Sequence, residues 1–143
     1  MAAFPATPDI RNRSVRQYTH AVGQVYILGA AVVLNGTPEV TECGADPAAI
    51  LGFAQEPATK DPEGATKALI AVVSQGERFY MSGTSNPVAA DVNVKYGIVK
   101  DANGVWVVDK TDVVNTRVYT HAVDTDRNLF LVSVLEANRQ IAA

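Results

Sequence analysis

The sequence predicts an all-β fold: a compact barrel or sandwich of short antiparallel strands, with an extended N-terminal arm and little helix. Three observations carry that expectation. The apolar runs are short, and clusters of Gly, Pro, Asn and Asp separate them at close spacing, as in sandwiches and barrels. No stretch sustains a 3.6-residue apolar period, so helix is confined to a turn near Pro47-Ala48-Ala49 and a turn or two in residues 136–143. The composition is that of a globular chain, with 48 % hydrophobic and 19 % charged residues over 143 positions, enough for one self-sufficient core.

Taken in order, residues 1–14 hold Pro5 and Pro8 and no apolar period, and read as an extended arm. The arm is drawn as residues 1–22 and the single β domain as residues 23–143. Within the arm, residues 15–22 have strand-like composition. Val25-Tyr26-Ile27-Leu28 reads as a strand interrupted by Gly29 and resumed by Ala31-Val32-Val33-Leu34. Asn35-Gly36 then signals a two-residue hairpin returning through residues 39–42. The apolar run Ile50-Leu51-Gly52-Phe53-Ala54 lies between the turn Cys43-Gly44-Ala45-Asp46-Pro47 and a Pro- and acid-rich loop at 57–64. It reads as a buried strand, and Gly52 within it asks for a bulge or a closely approaching backbone.

Residues 67–73 read as a central strand, turned by Ser74-Gln75-Gly76 so that residues 77–81 run back. After a turn-rich loop at 83–87, residues 92–100 form a strand with Val92, Val94, Tyr96 and Ile98 on one face. Asp101-Ala102-Asn103-Gly104 makes a hairpin turn into residues 105–108. A polar connection follows at 109–116. Strands at 117–123 and 128–135, joined by a turn at 124–127, close the chain. One internal match stands out: Arg16-Gln17-Tyr18-Thr19-His20-Ala21-Val22 agrees with Arg117-Val118-Tyr119-Thr120-His121-Ala122-Val123 at all but one position. Either chance and shared β propensity account for it, or the two are strands in equivalent settings.

The residues offer no catalytic constellation. The two histidines, His20 and His121, and the single Cys43 have no metal-ligand spacing, so no metal or cofactor is expected. Asp101–Gly104 departs from a calcium loop and is explained by a turn. Asp124 and Asp126 fit a solvated turn better than paired acid–base carboxylates. Aromatic residues make up 7 % and are not interleaved with basic ones, and the net charge is −3, which gives no reason to expect nucleic acid. The longest apolar run is too short to cross a bilayer as a helix, and no membrane association is expected. The charge is uneven. The first twenty residues carry Arg11, Arg13 and Arg16 against Asp9, whereas the remainder carries nine basic and fourteen acidic residues. A basic arm on an acidic body can steer toward an acidic partner, including another copy of itself.

One resemblance supplies a function. The order of pieces runs from Gly29-Ala30-Ala31-Val32-Val33-Leu34 through the Asn35-Gly36 turn and Asp46-Pro47 to Ile50-Leu51-Gly52-Phe53-Ala54. It continues with Phe79-Tyr80-Met81-Ser82-Gly83, Gly97-Ile98-Val99, residues 104–109 and Thr111-Asp112. It closes on residues 129–135 and Arg139-Gln140. This layout, over residues 23–140, resembles the capsid decoration (cement) proteins of tailed bacteriophages, broadly the lambda head decoration group. The resemblance implies a non-enzymatic virion protein made in the bacterial host cytoplasm. It would bind the outer surface of a capsid, assemble as a homotrimer and clamp neighbouring capsomers of the major capsid protein. On that reading the arm supplies the contact residues, Arg11, Arg13, Arg16, Tyr18 and His20. It is expected to leave its own core, with residues 15–22 adding a strand to a neighbour's sheet edge. Two other classes stand beside this one. The first is a head- or tail-associated recognition module binding host-surface glycans. The second is an enzyme or metal-binding domain, which a cation at His20 or His121 would favour.

Overall fold

The computed structural model describes residues 3–9, 14–60 and 68–140. Among these, eleven strands form two antiparallel sheets, and the fold is all-β as the sequence predicts. The strands are β1 (Thr7–Pro8), β2 (Val15–Tyr18), β3 (Ala31–Leu34), β4 (Val40–Glu42), β5 (Gly52–Ala54), β6 (Ala68–Val72), β7 (Arg78–Met81), β8 (Lys95–Lys100), β9 (Trp106–Asp109), β10 (Val118–Asp124) and β11 (Leu129–Val134). Among the described residues, helix is limited to single 3-10 turns at Ala58–Lys60, Ala89–Asp91 and Glu136–Asn138.

The two sheets are the same unit built twice. One is ordered β2-β6-β5-β3-β4; the other is β7-β11-β10-β8-β9, with β1 added outside β7. Numbered from its own first strand, each runs one-five-four-two-three. The registers agree as well. Val32 faces Gly52 as Tyr96 faces Val118, and Gly52 faces Val72 as Val118 faces Val134. Leu34 faces Val40 as Ile98 faces Val108, and Val15 faces Ala71 as Arg78 faces Ser133.

Each sheet also curls back on itself in the same way. The residues after β2 reach the far strand, where Val40 N–H donates to Thr19 O (2.8 Å) and Ala21 N–H to Val40 O (3.0 Å). The residues after β7 do likewise: Val108 N–H donates to Ser82 O (2.9 Å) and Thr84 N–H to Val108 O (2.8 Å). Curling satisfies edge groups that an open sheet would expose. The open edge that remains on β7 is covered by β1, whose Pro8 has no N–H to offer a further strand.

The core is continuous between the units. The Phe53 and Phe79 rings, on β5 and β7, meet at 4.7 Å between centroids, and Phe53, Phe79 and Phe130 are all fully buried. Burying side chains of this size is worth about 1.5–3 kcal/mol each. Gly52 sits where the sequence asks for close approach: a Cβ there would stand 2.2 Å from Ala71 O.

Several expectations need correction. Val25 to Leu28 is not a strand. It is the connection from β2 to β3, with Tyr26 buried and Val25 exposed, and its main chain bonds to turns rather than to a strand: Tyr26 O accepts from Ala58 N–H (3.0 Å) and Ile27 O from Ala30 N–H (3.1 Å). The Asn35-Gly36 hairpin has a five-residue loop, since Leu34 pairs with Val40, and Asn35 Oδ1 organises it by accepting from the N–H groups of Thr37 (2.9 Å) and Glu39 (3.0 Å). Residues 74–76 do not return the chain beside β6. Both edges of β6 are already taken by β2 and β5, so the turn hands the chain to the second unit. The arm also packs on its own chain: Thr7 and Pro8 pair with Tyr80 and Phe79, and β2 pairs with β6 as an edge strand. The matching heptapeptides are not equivalent strands. β2 is the first strand of one unit and β10 the fourth of the other, in different sheets. The acidic loop around residues 61–67 and the end of the tail, residues 141–143, lie outside the described residues.

Candidate interaction surface

The five residues expected to make contacts are divided by the structure. Arg11 and Arg13 lie outside the described residues. Arg16 is exposed in the middle of β2, between exposed Val15 and Gln17. Tyr18 is half-buried, packs against the core, and its hydroxyl is sealed from solvent without a hydrogen-bond partner. His20 is 1 % exposed and its ring meets Tyr26 edge-on, with Nδ1 3.0 Å from Ala21 O. Of the described pair-forming residues, then, Arg16 faces outward, while Tyr18 and His20 lie inside the first unit.

The sequence reading missed a surface made by the connection from β2 to β3. Val22 and Val25 are 74 % and 75 % exposed, and Ile27 and Leu28 are partly exposed beside them. The signal in the residues is their strand-like apolar composition, which reads equally well as a strand. Ile27 lies near the tip of the β8–β9 hairpin: a Cβ on Gly104 would come within 3.8 Å of Ile27 Cδ1. Exposed apolar side chains gathered on one short segment make it a candidate interaction surface.

Two of the open grooves on the second unit are the largest described there. One, of about 590 Å³, runs beneath the N-terminal segment and includes Phe4, Asn86, Asp101, Asn103, Arg127 and Asn128. Phe4 N–H donates to Ser82 Oγ (2.7 Å) at its wall. The other, of about 630 Å³, lies between the turn at Cys43–Asp46 and strands β8 and β9.

The ionisable groups serve the fold. Asp91 is buried, and accepts from the Tyr96 hydroxyl (2.6 Å), the Val88 N–H (2.8 Å) and Lys110 Nζ (2.9 Å). Burial presses its carboxyl upward, but the hydrogen bonds from Tyr96, Val88 and Lys110 outweigh that and hold it below the usual range. Burial, and then the same bond to Asp91, pushes the Tyr96 hydroxyl up to about 12. Burial, assisted by Glu42, pushes the Cys43 thiol up to about 12, which leaves it un-ionised and a poor nucleophile. Among the described residues no group of three His, Cys, Asp or Glu side chains is placed to share a metal ion, and no helix is long and apolar enough to cross a membrane. His121 Nε2 lies 2.8 Å from Ser133 Oγ, far from His20 in the topology.

No family model matches the chain, and no curated protein matches it.

Proposed function

We propose that this protein is a structural virion component that binds the outer surface of a bacteriophage capsid and clamps neighbouring capsomers, without catalysis. The observation that carries the reading is the exposed apolar connection at residues 22–28, on a body of two curled sheets. A clamp needs a folded frame and an adherent surface, and the two sheets with exposed Val22 and Val25 support that reading. The layout resemblance to capsid decoration proteins supports the same reading and adds the major capsid protein and a homotrimer as partners. The test is co-sedimentation with expanded heads of the phage that encodes the chain. Saturable binding at a fixed ratio to capsomers, lost on Val22→Asp with Val25→Asp, is expected. Absence of co-sedimentation overturns the proposal. Light scattering tests the trimer separately.

The groove beneath the N-terminal segment favours a second reading, recognition of host-surface glycans. Its amides, Asn86, Asn103 and Asn128, beside Phe4 offer hydroxyl partners and an apolar face. Saturable binding of a cell-surface oligosaccharide, abolished by Asn103→Ala, is the outcome that would favour it over the capsid.

A further inference from the structure

The edge of β7 that β1 covers has an equivalent on β2. Val15 faces Ala71 on β6 as Arg78 faces Ser133 on β11, so Val15, Arg16 and Gln17 correspond to Arg78, Phe79 and Tyr80. The correspondence continues past both strands, since Thr19 and Ala21 bond to Val40 as Ser82 and Thr84 bond to Val108. In the second unit the edge is filled by the chain's own N-terminal segment. Thr7 pairs with Tyr80, Pro8 with Phe79, and Asp9 N–H donates to Arg78 O (2.8 Å).

On β2 the same edge is open. Val72 N–H donates to Ser14 O (2.9 Å), and the alternation of the ladder then turns the main-chain groups of Arg16 and Tyr18 toward β6 as well. Val15 and Gln17 turn theirs the other way, to the side on which Thr19 and Ala21 meet Val40. Among the described residues nothing bonds to the N–H or C=O of Val15 or Gln17. Val15 is 38 % exposed, and Arg16 and Gln17 are exposed beside it. The two edges differ in chemistry at their centre. Phe79 is buried and faces buried Pro8, whereas the residue in its place on β2 is the cation Arg16.

We infer that the free edge of β2 is the docking site for an extended acidic segment of a partner protein, which adds antiparallel to β2 as β1 adds to β7. Main-chain hydrogen bonds to Val15 and Gln17 hold the segment, and a carboxylate directly across from Arg16 selects it. A second copy's β2 is a poor occupant. The antiparallel register that pairs Val15 with Gln17 sets two Arg16 side chains opposite each other, and like charges in that position are unfavourable. The strand keeps its place beside β6 throughout, and the inference does not depend on the capsid reading.

The probe is the blocked peptide acetyl-Thr-Val-Asp-Val-Thr-amide, titrated into the ¹⁵N-labelled full-length protein. Its two valines can pair with Gln17 and Val15 while its aspartate stands across from Arg16. Saturable amide shifts are expected, largest at Val15 and Gln17 and weakening with added salt. Exchanging the peptide's aspartate for lysine should weaken binding about fivefold, and Arg16→Glu, at an exposed position, should reverse that preference. N-methylation of both valines should abolish binding, because it removes the donors that a strand contributes. Five results would overturn the inference: no shifts at millimolar peptide; shifts centred on Arg78 and Tyr80 through displacement of β1; equal affinity for the aspartate and lysine peptides; binding that survives N-methylation; or shifts at Val15 and Gln17 on raising the protein concentration without peptide, which would give the edge to a second copy.

Discussion

Gly29 and Asn93 occupy the same position in the two units. Their φ values are +83° and +69°, and each N–H donates to the fourth strand of its unit, Gly29 to Ala54 O (2.7 Å) and Asn93 to Thr120 O (2.8 Å). The next residue in each case accepts the return bond, Ala30 from Ala54 N–H and Val94 from Thr120 N–H. What differs is the surroundings. A Cβ on Gly29 would stand 2.7 Å from Ala6 N and 2.8 Å from Pro5 Cβ, whereas Asn93 is exposed and its Oδ1 accepts from the Tyr119 hydroxyl (2.6 Å).

Substitutions at this pair should therefore diverge. Gly29→Ala combines left-handed strain with a clash against the N-terminal segment, and should cost about 2–4 kcal/mol. Asn93→Gly relieves strain but loses an exposed bond, and should change stability by less than about 1 kcal/mol. Urea midpoints measure both. Equal effects at the two positions would show that the N-terminal segment does not crowd Gly29 as described.

At Gly52 the obstacle is backbone. The nearest atoms to an added Cβ are Ala71 O at 2.2 Å and Ile70 Cγ2 at 2.7 Å, and the first cannot move without parting β5 from β6. Gly52→Ala should cost about 2–3 kcal/mol, in the range of overpacked cores. A melting temperature within a degree or so of wild type would show that the two strands are not apposed as described.

The strand content was legible in the sequence because apolar runs and turn residues alternate, and the reading of Gly52 held because a glycine inside a buried run has few other uses. The duplication was not legible. Equivalent positions such as Gly52 and Val118, or Tyr18 and Met81, share no side-chain chemistry, since register and curling, carried by backbone hydrogen bonds, define the unit. The one repeat visible in the residues misled for the converse reason: Arg16–Val22 and Arg117–Val123 share β propensity and occupy different strands. At the candidate surface, the exposure of Val22 and Val25 could not be read, because β-branched residues look the same whether a neighbouring strand covers them or not.

The Asp91 cluster should make the second unit acid-sensitive. Its carboxyl is held below the ordinary Asp value of about 3.9, so the unfolded chain takes up a proton before the folded one does. The stability it contributes is complete above that value and is lost as pH falls through the lowered folded pKa. Tyr96→Phe removes one of the hydrogen bonds and should cost about 1–2 kcal/mol at neutral pH. The mutant should also show a shallower loss of stability below pH about 4 than wild type. Parallel pH profiles for mutant and wild type would exclude the cluster as the source.

His121 adds a second, milder dependence at higher pH. It is the extra residue where the β10–β11 register shifts, and it sits across from Ser133, the partner of Arg78 on β7. Burial first, and the Arg78 charge second, hold its imidazole below the usual value of 6.5. Between the unfolded and folded pKa values the unfolded chain binds the extra proton. Stability therefore begins to fall as pH drops below about 6.5 and stops falling once pH passes the lowered folded value. His121→Gln should flatten that part of the profile, read as the melting temperature between pH 7 and pH 5. Persistence of the slope in the mutant would assign it elsewhere.

The last prediction concerns the N-terminal segment, which the structure seats on its own chain. Deleting residues 1–9 removes β1 from the edge of β7, strips away Ala6, which is 2 % exposed, and opens the contact of Pro5 and Ala6 with Gly29. The bond from Asp9 N–H to Arg78 O (2.8 Å) goes as well. The second unit keeps β7 through β11 and its bridge at Gly83 and Val108, so the truncated chain should fold, with stability lower by about 1–3 kcal/mol. Because the lost contacts are within one chain, that deficit should be the same at every protein concentration. If the segment instead served a neighbouring copy, wild type would gain stability with concentration and the truncated chain would not. Thermal melts of both proteins over a hundredfold range of concentration decide between the two: a constant gap between the melting curves supports the intramolecular strand, and a gap that widens with concentration places the segment on another copy.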